Sequence, residues 1–348
     1  MSAEILFEKR GGLGEITLNR PQALNTLRYP MIKPLHETLQ QWAADPAVIA
    51  VLIKGAGEKA FCAGGDIRSL YDGVVSGSAE PYQFFQEEYA LDQYIYSFPK
   101  PYIALMNGYV MGGGMGISQG ARFRIATERS KIAMPEVVIG FFPDVGASYF
   151  LPRCPGRIGE YLAVTGVTLD AEDALYANLV DWVLPADKSQ AFIEQIEQLK
   201  PDTPAAEQLP AILRGAGARN TPIEPSLGSK RAQIDQLFSH PTVHTILAAL
   251  ENAAADGPTW LDETLQLMKT RSPLAMVAAL EIVRRGKQLP IAECFAMELA
   301  LAARWMTAGD FVEGTRALII DKDKNPQWAY TLDELTPEKL RTLFPLFT

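Results

Sequence analysis

A buried strand that runs into three consecutive glycines is what most constrains this chain. Tyr102-Ile103-Ala104-Leu105-Met106 is a continuous apolar segment, the pattern of a strand covered on both faces. The chain turns at Asn107-Gly108 and reaches Met111-Gly112-Gly113-Gly114-Met115-Gly116; a small-residue helical stretch, Ile117–Ala121, follows. Glycine loses more entropy on folding than any other residue, so a run of it marks a place that needs bare backbone. Two needs fit. One is a main-chain N–H at a helix N-terminus, aimed at a developing negative oxygen; the other is close packing of a helix on a strand.

A second loop has the same form. Val48–Ile53 reads as a central strand, and Lys54–Ile67 follows as a loop containing Ala63-Gly64-Gly65, with a helix starting at Asp66. The strand–loop–helix units around Gly65 and Gly113 each offer a backbone N–H. Two such donors converging on one point make an oxyanion hole, in which losing one donor costs about 3–4 kcal/mol of transition-state stabilisation. Ahead of them, Ile5–Lys9 and Gly14–Leu18 read as a hairpin through Gly11-Gly12. Met31, Leu35, Leu39 and Trp42 recur at helical spacing behind Pro30.

Acidic residues supply the remaining chemistry. Pro81–Tyr96 reads as a helix carrying Glu87, Glu88 and Tyr89, Phe123–Ala126 as a strand, and Lys131–Ala133 as an extension of the sheet edge. Glu136 and Asp144 bracket the apolar run Val137-Val138-Ile139-Gly140-Phe141-Phe142-Pro143. A carboxylate in such a setting is either desolvated, and useful for acid–base work, or exposed on a loop; spacing alone favours exposure.

Composition removes other function classes. A net charge of −9 argues against a general nucleic-acid binder. Cys62, Cys154 and Cys294 form no CxxC pair, and His240 and His244 lack a surrounding His-Glu-x-x-His pattern, so no metal site is expected. The first ten residues have no signal-peptide core, and no apolar stretch is long enough to span a bilayer; the expectation is a cytoplasmic protein without a membrane partner. Beyond residue 186 the pattern turns helical, with the proline-rich Pro201–Pro225 as a connection and Ser272-Pro273 opening one helix. The expected organisation is residues 1–185 as a strand–turn–helix core carrying the site and 186–348 as a mainly helical region.

Asn19-Arg20-Pro21, Ala23-Leu24-Asn25, Ala60–Ile67 and Asn107-Gly108 with Gly112-Gly113-Gly114 resemble, in order and spacing, the crotonase (enoyl-CoA hydratase/isomerase) superfamily. Glu87-Glu88-Tyr89, Met134-Pro135-Glu136, Phe142–Gly146 and Tyr149–Pro152 are similar to the 3-hydroxyisobutyryl-CoA hydrolases within it. So is the C-terminal stretch Asp310-Phe311, Glu313–Leu318, Asp321-Lys322, Asn325-Pro326 and Trp328. One departure is Ala147-Ser148, where that family often has two glycines.

The resemblance implies an α/β crotonase-type spiral of β-β-α units with a helical C-terminal region used in trimer or hexamer contacts. It implies an acyl-CoA substrate, coenzyme A being part of that substrate and no separate cofactor being required. It gives the N–H groups of Gly65 and Gly113 the oxyanion hole, Glu136 and Asp144 the catalytic carboxylates, and Glu88 a bond to the substrate hydroxyl. Ala23, Ala63, Asp66, Ile67 and Arg68 match positions along the coenzyme A path. Hydratases of the superfamily carry a glutamate where this chain has Gly116. The implied reaction is therefore thioester hydrolysis, as in valine degradation, with 3-hydroxypropionyl-CoA a second substrate. An enoyl-CoA hydratase or isomerase, or a non-catalytic acyl-CoA-binding protein, are the alternatives.

Overall fold

The computed structural model describes residues 3–200 and 202–345. Nine strands lie between Ile5 and Val183: β1 Ile5–Arg10, β2 Leu13–Leu18, β3 Ala50–Gly55, β4 Ala60–Cys62, β5 Tyr102–Met106, β6 Tyr109–Met111, β7 Phe123–Ala126, β8 Lys131–Ala133 and β9 Trp182–Val183. Six make one sheet in the order β1-β2-β3-β5-β7-β9. Only β1–β2 is antiparallel; the other pairings are parallel, as crossover connections demand. The second sheet has the order β4-β6-β8. Lys131–Ala133 therefore extends this small sheet and not the edge of the large one, and the Lys54–Ile67 loop contains a strand that its glycines and lysines conceal.

Chain contacts divide the molecule into two compact units, each assembled from separated segments. The first comprises Met1–Asp66, Glu87–Ile132 and Leu169–Gly228. Its core lies under the large sheet, where Leu13, Leu52, Ile103, Leu105 and Ile125 meet Phe192, Ile196, Leu209 and Leu213. Those last two side chains belong to a helix, Ala205–Gly215, inside the stretch expected to be a plain connection; Pro201 itself lies outside the described residues. Pro204 sits at the N-cap, where no N–H is needed, and Pro210 is held within the helix because Ala205, Leu209 and Leu213 are buried.

The second unit comprises Ile67–Gln86, Ala133–Thr168 and Ser229–Thr348, and is mostly helical. Ser272 caps the helix Pro273–Gly286 as expected, its hydroxyl accepting from the Ala275 N–H at 3.0 Å. The same hydroxyl donates to Asp310 at 2.6 Å, which ties this helix start to the C-terminal signature.

In the first unit, a Cβ on Gly14 of β2 would lie 2.5 Å from the buried Trp42 ring. Gly14→Ala is therefore expected to lower the unfolding free energy by about 1–3 kcal/mol through overpacking. Urea denaturation checks this: the midpoint falls with an unchanged slope.

Candidate functional site

The segment Asn19–Leu27 holds the first glycine loop in place. Leu24 and Asn25 both have positive φ, 52° and 56°, and the second is favourable for an asparagine that bonds nearby backbone. The buried Asn25 side chain accepts from the Arg20 N–H at 2.9 Å and donates to the Ala56 and Ala60 carbonyls at 3.0 and 2.8 Å. The loop then zips onto this segment. Ala63 N–H donates to Leu24 O at 3.0 Å, and Leu27 N–H to Gly64 O and Asp66 N–H to Leu27 O at 2.8 Å each. Arg20 donates to the Asp66 carboxylate at 3.0 Å. Asp66, matched by resemblance to the coenzyme A path, thus also anchors its own loop. Ala23 closes the short turn Pro21–Ala23, directly before Leu24.

The second glycine loop arrives at the same place. Gly112, at φ 48°, caps the helix Gly113–Gln119, so the Gly113 N–H has no acceptor within the helix. A Cβ on Gly113 would lie 2.5 Å from Glu88 Oε1 and 3.5 Å from the Gly65 nitrogen, and one on Gly64 would lie 3.8 Å from the Gly113 nitrogen. The two amides and the Glu88 carboxylate therefore share one spot. Gly114 meets the other need: its Cβ would press on the Cys62 backbone. One glycine run thus provides both a bare amide and a close helix packing.

Glu88 and Asp92 lie one turn apart on the helix Glu80–Tyr96 and are both buried, at 2% and 0% exposure. Burial, with these two charges adding to it, pushes the Cys62 thiol up to about 12. Cys62 is therefore a packed, inert thiol.

In the second unit Glu136 and Asp144 are 7% and 5% exposed, which corrects the exposed-loop reading. The cause is the apolar run between them. Glu136 opens a tight turn to Ile139 that ends at Gly140, φ 69°, whose carbonyl accepts from the Trp305 indole at 2.8 Å. Phe141 stacks on Phe85 and on Phe142, with ring centroids 5.6 and 4.4 Å apart, and meets the edge of Phe311 at 5.8 Å. Trp305 packs on Phe142 and stacks on Phe344. The C-terminal signature explains itself here: a Cβ on Gly140 would strike the Asp310 backbone, and one on Gly314 would strike Ile139.

After Pro143 the backbone enters the left-handed region twice, at Val145 (φ 53°) and Gly146 (φ 88°), before the short helix Ala147–Phe150. A β-branched residue there is strained, by roughly 1–3 kcal/mol. Glu298, from the helix Ile291–Ala308, accepts from the Gly146 N–H at 2.7 Å, the Ser148 N–H at 2.8 Å and the Ser148 hydroxyl at 2.5 Å. Burial pushes its carboxyl up to about 8; those bonds pull it down, and the Asp144 charge pushes it up. Neither Glu298 nor Asp92 stands out as a motif. Glu298 does fall on the buried stripe Cys294, Leu301, Trp305, the signal that could have found it. Ile67 opens the helix Ile67–Val75, and the exposed Arg68 donates to the Ile319 carbonyl at 3.3 Å.

Gly116 is buried within its helix and brings no side chain. Among the described residues no group of three or more His, Cys, Asp or Glu side chains is placed to hold a metal ion, and no helix is long and apolar enough to cross a membrane.

The profile of the family described as Enoyl-CoA hydratase/isomerase matches residues 13–344. Over 344 residues the chain is 39% identical to the Rattus norvegicus protein named 3-hydroxyisobutyryl-CoA hydrolase, mitochondrial, covering 99% of this chain and 89% of that one. The Homo sapiens protein of the same name is 37% identical over 342 residues, covering 98% and 88%. Two crystal structures are similar over nearly the whole chain. One is a carnitinyl-CoA dehydratase from Mycobacterium thermoresistibile, with 36% identity, a TM-score of 0.90 and 99% and 96% coverage. The other is an enoyl-CoA hydratase from Rhodobacter sphaeroides 2.4.1, with 37% identity, a TM-score of 0.87 and 98% and 97% coverage. The fold is the expected crotonase-type α/β fold.

Glu298 makes stability depend on pH with an unusual sign. Its native carboxyl titrates near 8 against an ordinary 4.5, so the native state holds a proton that the unfolded chain has released. Its contribution is fully present below about 4.5 and is lost as pH rises to about 8, by on the order of 1 kcal/mol per pH unit at most. Urea denaturation of the wild type and Glu298→Gln across this range is expected to show the wild type losing ground to the variant as pH rises. A constant difference contradicts the shift.

Proposed function

The chain belongs to the enoyl-CoA hydratase/isomerase family, and from that premise we propose that it hydrolyses a short 3-hydroxyacyl-CoA thioester. The first candidate is 3-hydroxyisobutyryl-CoA, giving the hydroxy acid and free coenzyme A, the step that valine breakdown requires. The observation that carries this reading is the pair Glu136 and Asp144, buried on one apolar run in a chain whose residue 116 is glycine. Hydration of an enoyl thioester by two glutamates lacks its first glutamate here. Thioester hydrolysis needs an oxyanion hole and a carboxylate, and both have candidates. The relatives named as hydrolases support the same choice, although the two similar crystal structures are of a carnitinyl-CoA dehydratase and an enoyl-CoA hydratase.

In this reading the Gly65 and Gly113 N–H groups hold the thioester oxygen as charge builds on it. Glu136 either attacks the carbonyl, expelling coenzyme A thiolate and leaving a mixed anhydride that water opens, or takes a proton from the attacking water. Asp144 is its partner, and Glu88 accepts from the substrate hydroxyl. Ala23, Ala63, Asp66, Ile67 and Arg68 line the coenzyme A path, with Arg68 as a cation for phosphate. No metal or redox group enters these steps. Assembly as a trimer or hexamer belongs to the same proposal, and light scattering measures it. The cytoplasm remains the proposed compartment, against the mitochondrial designation of the named relatives, and cell fractionation decides between them.

Glu136→Gln and Asp144→Asn are each expected to lower coenzyme A release from 3-hydroxyisobutyryl-CoA at least about a hundredfold, with the variants folded. Near-normal turnover by Glu136→Gln removes the assignment. A single turnover in oxygen-18 water, after earlier turnovers in ordinary water, separates the routes: a first product without oxygen-18 marks an anhydride that water opens at the Glu136 carbonyl, and one oxygen-18 per first product marks direct attack by water.

A further inference from the structure

We propose that Glu298 is a positioning residue that sets the direction of the Asp144 side chain by clamping the turn behind it; this rests on the catalytic reading of Asp144. The turn has an intrinsic reason to move. Val145 directly follows Asp144 and holds φ 53°, a conformation a β-branched residue leaves unless its surroundings forbid it. Two helices supply the surroundings that forbid it. Glu298, fully buried, takes the N–H groups of Gly146 and Ser148 on its two oxygens, and thereby fixes the peptide units that follow the strained residue. One turn earlier on that helix, Phe295 would lie 3.0 Å from a Cβ on Gly146, so the turn is also pressed from that side. Gly286, at the end of the helix Pro273–Gly286, leaves room for the Ser148 backbone, which a Cβ there would strike.

The departure at Ala147-Ser148 belongs to the same clamp. The Ser148 hydroxyl donates to Glu298 Oε1 at 2.5 Å, a third bond that glycine at 148 cannot make. Serine here therefore strengthens the hold on the Asp144 turn, and does so from a side chain that is itself fully buried. Glu298 stays a positioning residue: both oxygens of its carboxyl group are occupied by the turn, and its effect on the reaction runs through Asp144.

The experiment is a mutant cycle on coenzyme A release from 3-hydroxyisobutyryl-CoA with Asp144→Asn, Glu298→Gln and the double variant. Glutamine keeps the shape but turns an N–H group toward one of the donors. Glu298→Gln is expected to lower kcat on the order of a hundredfold, as a misplaced reacting group does, with KM within about twofold. The double variant is expected to match Asp144→Asn alone, because residues acting as one unit do not add. Unchanged kcat in Glu298→Gln overturns the proposal, and so does a loss that multiplies with that of Asp144→Asn. Full activity of Asp144→Asn removes the catalytic reading beneath it, an outcome distinct from both. Should Glu298→Gln fail to fold, Ser148→Ala keeps both backbone bonds and enters the same cycle; a loss below about tenfold, absent in the Asp144→Asn background, supports the clamp, and an additive loss overturns it.

Discussion

Backbone approaching backbone is the constraint on which the first unit's candidate site depends. The loop at Gly64-Gly65 and the helix start at Gly112-Gly113 lie in van der Waals contact, with the Cys62 backbone where a Cβ on Gly114 would go and Glu88 filling the space a Cβ on Gly113 would need. An amide presented this way requires no side chain to carry it and cannot rotate away, so its dipole is already oriented before any charge develops. What keeps the first loop there is a short ladder of main-chain bonds from Ala63, Leu27 and Asp66, with Asn25 and Arg20 fixing the segment that the ladder hangs from. The residues of the Asn-Arg-Pro motif thus act on the site through the backbone.

The second unit solves a different problem, that of keeping two carboxylates in an apolar setting. Glu136 and Asp144 flank a run whose phenylalanines go inward, into a cluster with Phe85, Trp305, Phe311 and Phe344. Aromatic stacking and burial hold the run, and the acids follow because the chain connects them. Glu298 then meets the two N–H groups that a left-handed turn exposes, at the cost of a third buried acid.

Much of this is legible in the sequence because its signals are local. Strands β1, β2, β3, β5 and β7 and the helix at Met31–Trp42 follow from runs and periods within a few residues, and so do the glycine turns. Strands β4 and β6 are too short to show a period. The helix Ala205–Gly215 hides behind its prolines, since its stabilisation comes from Leu209 and Leu213 packing on a sheet distant in sequence. The packing of the run between Glu136 and Asp144 is not local either: Trp305 and Phe311, which meet its phenylalanines, lie more than a hundred residues away. Glu298 is an intermediate case, an acid on an otherwise apolar helix stripe, visible once the period is followed past the hydrophobic positions.

The central claim is that this chain breaks a thioester and does not add water to a double bond. The most direct measurement is a paired time course on the purified protein with 3-hydroxyacyl-CoA and enoyl-CoA thioesters of matched chain length, reading free thiol and enoyl absorbance together. Sustained thiol release over many turnovers is expected, fastest with 3-hydroxyisobutyryl-CoA, with no matching loss of the enoyl signal. Rapid loss of the enoyl thioester without thiol release contradicts it, as does thiol release that stops at one equivalent.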